Sequence, residues 1–485
     1  MIQYVSTKGG IAPVNFETAI LDGFAADGGL YVPTELPKIT LVQLSAWKNL
    51  SFIELAYEVL SLFIDESVMS DLELKKILEE SYQSFYDSDI IPFYELSAQK
   101  NLIIQELFHG PTLSFKDIGM AFIVHLFHFF LKRKEEKMTI VVATTGDTGP
   151  AAAHASIGKS TIDTWVLYPK ELITEEQERQ MTTISAPNVY PVGVSNCPDG
   201  ADDLDVLIAE LFADKELKEA LNLSSVNSIN WGRVMMQTVH YFYGYLKTVD
   251  RVGEPLNFAV PSGAFGNLCA GSLARAMGLP VGKFIVANNQ NACLHRIFSQ
   301  GIFSKKEMIN CPSSAIDILV PYNFWRYLYF AVDQDSVKIK AWMEEYNQKG
   351  VVQFDKASYQ QYNEGFISYS ISDEQTLSTI RQVYQEEGYL LDPHAAVAVA
   401  AASTFKKEFS SKNDILCLAT AHPSKFSVSI ADALGTGEHL PIAATHFSID
   451  TAKNRCEKIY TCHFGNMRTA IPEVMKEHST NYSQK

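Results

Sequence analysis

From Leu102 onward the chain repeats one unit: a short apolar run, a turn rich in glycine or hydroxyls, then a helical stretch. Ile103-Ile104 and Met138 to Ala143 have strand character, Ala151 to Ile157 is helical, and Thr164 to Tyr168 is a strand closed by Pro169. Glu171 to Thr183 predicts a helix, Val189 to Val194 a strand, Asp202 to Leu221 one helix and Trp231 to Thr248 an aromatic-rich one. Leu256 to Val260, Phe284 to Ala287 and Ile415 to Leu418 are further strands, with helices over Leu268 to Met277 and Ser424 to Leu434. Strands this apolar are buried on both faces, and helices between them make the connections parallel. The expected fold class is therefore α/β, with open, mainly parallel twisted sheets flanked by helices.

Residues 1–97 read differently, as a smaller N-terminal α/β domain. Asn15 to Leu21 is helix-like, Asp27-Gly28-Gly29 turns the chain into the strand Leu30-Tyr31-Val32, and Leu41 to Tyr86 has helical periodicity. Pro33 and Pro37 mark a loop, and Pro92 is a candidate end for the unit. The chain has 485 residues, enough for roughly two to four domains. The expected division is 1–97 for this unit, 98–116 with 231–435 for a large domain, 117–230 for a small α/β domain and 436–485 for a C-terminal extension. The tail from His478 (HSTNYSQK) is polar and expected to fray.

The charge balance narrows the partners. There are 40 basic against 56 acidic residues, a net charge of −16, and nucleic acid would want a basic face. An anionic small substrate remains open, because a site can be locally positive. The seven cysteines are scattered without a C-x-x-C pair, so no disulfide framework is expected. Cys456, Cys462 and His463 have poor spacing for a metal, and none is expected. MIQYVSTKGG lacks the apolar core of a signal peptide. The longest apolar stretch, Met120 to Leu131, is broken by His125 and His128 and is too short to span a bilayer. A cytoplasmic enzyme with no membrane partner is the expectation.

Lys116 stands out for chemistry. It follows a turn-rich approach (His109, Gly110, Pro111, Thr112) and precedes an apolar helix, with Asp117 suited to that helix's first turn. A lysine held at such a junction, between Phe115 and Ile118, can be desolvated and become a usable amine nucleophile or base. An ordinary solvated lysine is the alternative.

Two loops share one design of strand, glycine loop and helix N-terminus. The first is Thr144-Thr145-Gly146-Asp147-Thr148-Gly149; the second is Ser262-Gly263-Ala264-Phe265-Gly266-Asn267. Exposed amides and the helix dipole make such places anion sites, and glycine lets the backbone come close. The second loop has no acidic residue and suits a phosphate. The first suits a carboxylate, provided Asp147 points away. Tight-turn packing would explain either loop alone, and neither is a Walker loop. SVNSINWGR, 225–233, gathers Asn227, Ser228, Asn230 and Arg233. An arginine fork there matches phosphate oxygens; a helix N-cap by Ser228 or Asn230 with a solvated Arg233 is the other reading. Thr420 leaves an apolar strand at its carboxyl end, where α/β sheets place ligand groups. His394 and His422 sit at proline turns and offer two readings, acid–base groups or, the favoured one, structural hydrogen-bonding histidines.

These motifs occur in a telling order: LFHGPTLSFKD, TTGDTG, the glycine cradle and TAHPSKF. With VNFETAILDGFAADGGLYVP, LYPKELITEEQ, SVNSINW, SSAIDILVPYN and DPHAAVA, they resemble the threonine synthases over essentially the whole chain. Those are pyridoxal-phosphate enzymes of fold type II, the tryptophan-synthase-β type. The resemblance implies pyridoxal 5'-phosphate as cofactor, bound by the large domain, and O-phospho-L-homoserine as small-molecule substrate. It implies that Lys116 is the catalytic lysine that carries the cofactor. Gly263, Ala264, Phe265, Gly266 and Asn267 would hold the cofactor phosphate, and Thr420 would face the pyridine nitrogen. Thr144, Thr145, Gly146, Asp147, Thr148 and Gly149 would take the substrate carboxylate, and Asn227, Asn230 and Arg233 the substrate phosphate. A carbon–oxygen lyase reaction follows: phosphate leaves from Cγ and water adds at Cβ. Two positions depart from the family pattern, Thr145 for a serine and Ala264 for an asparagine. The second resembles threonine-synthase-like phospho-lyases, which would release 2-oxobutyrate, ammonia and phosphate. A monomer or weak dimer is expected.

Overall fold

The computed structural model describes residues 2–99, 101–437 and 439–478; of the polar tail, everything after His478 lies outside the described residues. The helical stretch from Leu41 resolves into Leu41–Ala46, Phe52–Leu60 and Asp71–Tyr82. Each opens with a reciprocal capping box, formed by Thr40 with Gln43, Ser51 with Glu54 and Ser70 with Glu73. In each box two otherwise orphaned amides are satisfied. The apolar faces of the second and third (Leu55, Val59; Leu74, Leu78) join the main core.

Two sheets carry the α/β part. The larger runs in the order Phe366–Ser370, Val281–Asn288, Leu256–Pro261, Ile415–Ala419, Leu102–Glu106, Phe93–Glu95. Only the last, edge pair is antiparallel. The smaller runs Tyr460–His463, Val189–Ser195, Ile162–Pro169, Met138–Ala143, Leu223–Ser224, all parallel. The expected fold class holds. The central strands Leu256–Pro261, Ile415–Ala419 and Met138–Ala143 are buried at every residue, as strands covered on both faces must be.

The helix Trp231–Thr248 packs against the larger sheet, where the Gln105 side-chain amide donates to the His240 carbonyl at 2.8 Å, and it is buried at every position from Trp231 to Leu246. Its polar residues Arg233, Gln237 and His240 are therefore inside the protein, where they cost free energy unless something pairs with them. The helix Lys116–Lys134 packs beside it. One expectation fails: Asp202 to Leu221 is two helices, Ala201–Ala213 and Lys215–Leu221. Asp214 breaks the run by capping the second, its carboxylate accepting from the Leu217 amide at 3.1 Å. The C-terminal segment adds an edge strand to the smaller sheet, and Met467, Ile471 and Met475 of the last helix join that sheet's core. Among the described residues no helix is long and apolar enough to cross a membrane.

Candidate active site

In a parallel sheet every strand delivers its following loop to the same edge. Leu256–Pro261 and Ile415–Ala419 deliver Ser262–Asn267 and Thr420; Met138–Ala143 delivers Thr144–Thr148. These loops line one cavity of about 140 Å³, together with Lys116, Asn227, Ser228, Arg233 and Gln237.

Lys116 is held by a strap. The Phe115 amide donates to the Thr420 carbonyl at 2.8 Å and the His422 amide to the Leu113 carbonyl at 3.0 Å. Behind it the Thr112 amide and hydroxyl donate to the Asp117 carboxylate at 2.9 and 2.6 Å, so Asp117 closes the turn that presents the lysine. Burial pulls the Lys116 amine down to about 7; Arg233 and Lys425 push the same way, and Asp147 opposes them. An amine so placed is neutral for much of the time near neutral pH.

The second glycine loop is a cradle. A Cβ on Gly263 would lie 2.8 Å from Ile318 Cγ1 and 3.0 Å from the Ile316 backbone, so only glycine lets the chain pass there. The Ala264 carbonyl accepts from the Asn323 amide at 3.2 Å, which fixes the loop through backbone and not through the side chain at 264. Asn267 is oriented from behind. Its Oδ1 accepts from the Tyr241 hydroxyl at 2.8 Å and from His240 Nε2 at 2.9 Å. Burial holds His240 down at about 4, against the Asn267 bond, so it is neutral and donates. With both donors on Oδ1, Asn267 Nδ2 faces away, and it is buried without a partner.

The first loop is knitted internally. Thr144 Oγ1 accepts from the amides of Gly146 at 3.0 Å and Gly149 at 2.9 Å. Thr145 donates to the Ala315 carbonyl at 3.2 Å. Gly146 has φ +111°, and a Cβ there would come within 2.3 Å of Gln177. Thr144, Thr145, Asp147 and Thr148 reach the cavity wall; Gly146 and Gly149 shape the loop from behind it. Asp147 does not stand free in the site. It pairs with Lys425 at 2.7 Å, both side chains being buried.

In the stretch 225–233 the two readings divide between residues. Asn227 and Arg233 are on the wall. Asn230 is not, which corrects its assignment to the substrate. It caps the helix through the Gly232 amide at 3.0 Å, and its own amide donates to the carbonyls of Ile20 and Ser225. Arg233 is 1% exposed. It donates to the Val226 carbonyl at 2.7 Å, while its Nε is buried with no partner. Among the described residues no carboxylate forms an ion pair with it. Burial lowers it to about 10, with Asp117 acting in the opposite direction, so it keeps its charge at neutral pH.

The histidines are structural. His394 Nδ1 pairs with Asp392 at 2.7 Å and Nε2 accepts from the Ala315 amide at 3.1 Å, which uses both nitrogens although the ring lines the cavity. His422 Nδ1 accepts from the Ser424 amide at 3.1 Å. Its pKa is held down near 3, first by burial and then by His446, His109 and Lys425.

Sequence reasoning missed two cations. Lys425 lay within TAHPSKF but carried no signal of its partner. Arg326, fully buried, donates to the carbonyls of Tyr31 at 3.2 Å, Ser228 at 3.0 Å and Ile229, and to Asn323 Oδ1. It clamps the 228–229 turn from outside the cavity. Only its distance from that turn in the chain hid it.

Unpartnered buried donors, Asn267 Nδ2 and Arg233 Nε, call for acceptors that the protein does not supply. An amine with a lowered pKa beside a glycine cradle calls for an aldehyde carrying an anion. The residues thus fit pyridoxal phosphate. Residues 86–421 match the model of the pyridoxal-phosphate-dependent enzyme family, and this, with the two parallel sheets, sets the class: an α/β enzyme that works with that cofactor. Residues 3–82 match the threonine synthase N terminus and 395–471 the threonine synthase C-terminal family. A threonine synthase of Schizosaccharomyces pombe is 35% identical over 466 residues, covering 90% of each chain. The human protein named threonine synthase-like 2 is 37% identical, covering 89% of each. The crystal structure of pyridoxal-phosphate-bound threonine synthase from Brucella melitensis superposes with a TM-score of 0.89 at 33% identity, covering 99% of this chain and 100% of that one. The chain belongs to the threonine synthase family.

Proposed function

We propose that the protein converts O-phospho-L-homoserine and water to L-threonine and phosphate. The observation that carries this reading is the buried guanidinium of Arg233, without an acidic partner among the described residues, in the same cavity as Lys116 and the glycine cradle. The cradle serves one phosphate; a second anion site asks for a substrate with a phosphate of its own.

Pyridoxal phosphate, when bound, supplies the electron sink for charge developing at the substrate's Cα and beyond. Lys116 would hold that cofactor at its amine, and the same amine, when free, takes the proton from Cα and helps move one from Cβ. Gly263 to Asn267 would hold the cofactor phosphate. The Thr144–Gly149 loop holds the α-carboxylate through amides and the Thr148 hydroxyl. Arg233 and Asn227 hold the phosphate that leaves from Cγ. Thr420, on the cavity wall, would offer a neutral hydroxyl to the ring nitrogen, which would leave the sink tuned and not maximal. Apolar walls from Phe115, Phe265, Ile229 and Val320 limit water to what the reaction needs at Cβ.

Ala264 favours a second reading. Lacking the family's asparagine, the loop could deliver water less well to Cβ, and the product would then be 2-oxobutyrate with ammonia. Its backbone bond to Asn323 supports the synthase outcome, because the loop keeps its course without a side-chain amide. Feeding O-phospho-L-homoserine and quantifying threonine, 2-oxobutyrate and phosphate decides between them. Threonine as the main product is expected; keto acid alone would establish the lyase.

A further inference from the structure

We propose that Lys425 is a positioning residue for the substrate carboxylate: it neutralises Asp147, the one carboxylate the loop carries, and holds that side chain on its far side from the ligand's place. The inference rests on the reading of Thr144–Gly149 as the carboxylate loop.

Asp147 occupies the N-cap position of the helix Thr148–Ser156, yet its side chain makes no cap hydrogen bond. The cap is not open to it, because the Gly149 amide donates to Thr144 Oγ1 at 2.9 Å and Pro150 has no amide hydrogen. Here Lys425 Nζ lies 2.7 Å from Asp147 Oδ1, and Gln177 Nε2 donates to the same oxygen at 3.0 Å. Lys425 belongs to the loop beyond Ile415–Ala419 of the larger sheet; Asp147 belongs to the loop beyond Met138–Ala143 of the smaller one. The pair therefore ties together the two loops that flank the site. Each partner is braced. Lys425 Nζ also donates to the Thr112 carbonyl at 3.0 Å, in the strap that presents Lys116, and the Lys425 carbonyl accepts from Thr174 at 2.9 Å. Thr174 in turn caps the helix that carries Gln177. A loop that receives a carboxylate while carrying one of its own needs such a counter-charge.

The charged or titratable groups facing Asp147 are Lys425, His394 and Lys116. Burial pushes Asp147 up, and the Lys425 charge, aided by the bond from Gln177, holds it down. Without Lys425 burial favours the protonated acid, so the unpaired carboxylate stands beside an incoming one increasingly as pH rises.

The test uses holoenzyme, read by the cofactor's visible spectrum on titration with L-norvaline, which has the amino-acid head and no leaving group. L-norvalinamide, lacking the carboxylate, is the control. Lys425→Met is expected to weaken norvaline by an order of magnitude, about tenfold, where Asp147 is ionised, since its charge then repels the ligand's, and to leave norvalinamide nearly unchanged. The loss should shrink as pH falls and Asp147 takes a proton, measured against wild type over the same range because Lys116 titrates there too. Lys425→Met with Asp147→Asn should restore norvaline binding and abolish that pH dependence. Should the single variant fail to fold, Asp147→Asn reads the pair from the other side: Lys425, left unpaired, should tighten norvaline and not the amide. Equal weakening of both ligands in Lys425→Met, or an unchanged preference in Asp147→Asn, overturns the proposal while leaving the synthase reading intact. Selective loss of norvaline in a protein that makes no threonine would keep the proposal and sink the synthase reading. A wild-type spectrum indifferent to norvaline would sink both.

Discussion

The amine of Lys116 should titrate near neutrality in the apoenzyme, and this can be measured directly. With a pKa of about 7 in place of 10.5, about half of the lysine is neutral at pH 7, against roughly 3 in 10,000 for a solvated lysine, a gain of about a thousandfold in reactive amine. Burial is the largest cause and Arg233 the next. The neutral fraction rises with pH through the folded pKa, so the rate of recombination with pyridoxal phosphate should rise between pH 6 and 8 and then level off. Stopped-flow absorbance of the lysine-bound chromophore, in apoenzyme stripped of cofactor, reads this rate; a free lysine derivative over the same pH range corrects for titration of the cofactor itself. Arg233→Met should move the midpoint upward, because a neighbouring positive charge no longer disfavours the ammonium. A rate that keeps climbing to pH 10, as for an ordinary lysine, would refute the desolvation argument. Formation of the chromophore in Lys116→Ala would refute the choice of lysine.

Arg233→Ala should raise KM for O-phospho-L-homoserine by about a hundredfold, the worth of a charge-assisted pair of hydrogen bonds, with the cofactor spectrum intact; loss of cofactor at unchanged KM would exchange the two phosphate assignments. Arg326→Met should destabilise the protein by about 3–5 kcal/mol, because it strands buried acceptors at Tyr31, Ser228, Ile229 and Asn323, and urea denaturation of the apoenzyme measures it. Among molecules that remain folded, KM should rise more than kcat falls, since the 228–229 turn loosens at the substrate's end of the cavity; an unchanged KM would reduce Arg326 to a purely structural role.

Some of this was legible in the residues because local rules decide it. The strand Met138–Ala143 and the helix Trp231–Thr248 have the expected bounds, since apolar runs and an asparagine cap specify them without help from afar. Capping boxes at Ser51 and Ser70 divide the helical stretch after Leu41 into separate helices, a division that its periodicity alone did not reveal. The break at Asp214 went unread because one aspartate in a helical pattern can stay on the surface or cap a new helix, and packing chooses. Asn230 and Arg233 looked alike as phosphate ligands. The structure turns one back into the helix end and leaves the other unpaired in the cavity.

The sequence by itself determined the alternating strands and helices, the two glycine loops and the junction that carries Lys116. All depend on neighbours a few residues apart. Only the tertiary structure decided which charges are paired. Lys425 meets Asp147, and Arg326 meets Tyr31 and Ser228, across the gap between two sheets and from the N-terminal unit. An ion pair or a buried hydrogen bond is set by distance in space, and chain topology, not residue spacing, sets that distance.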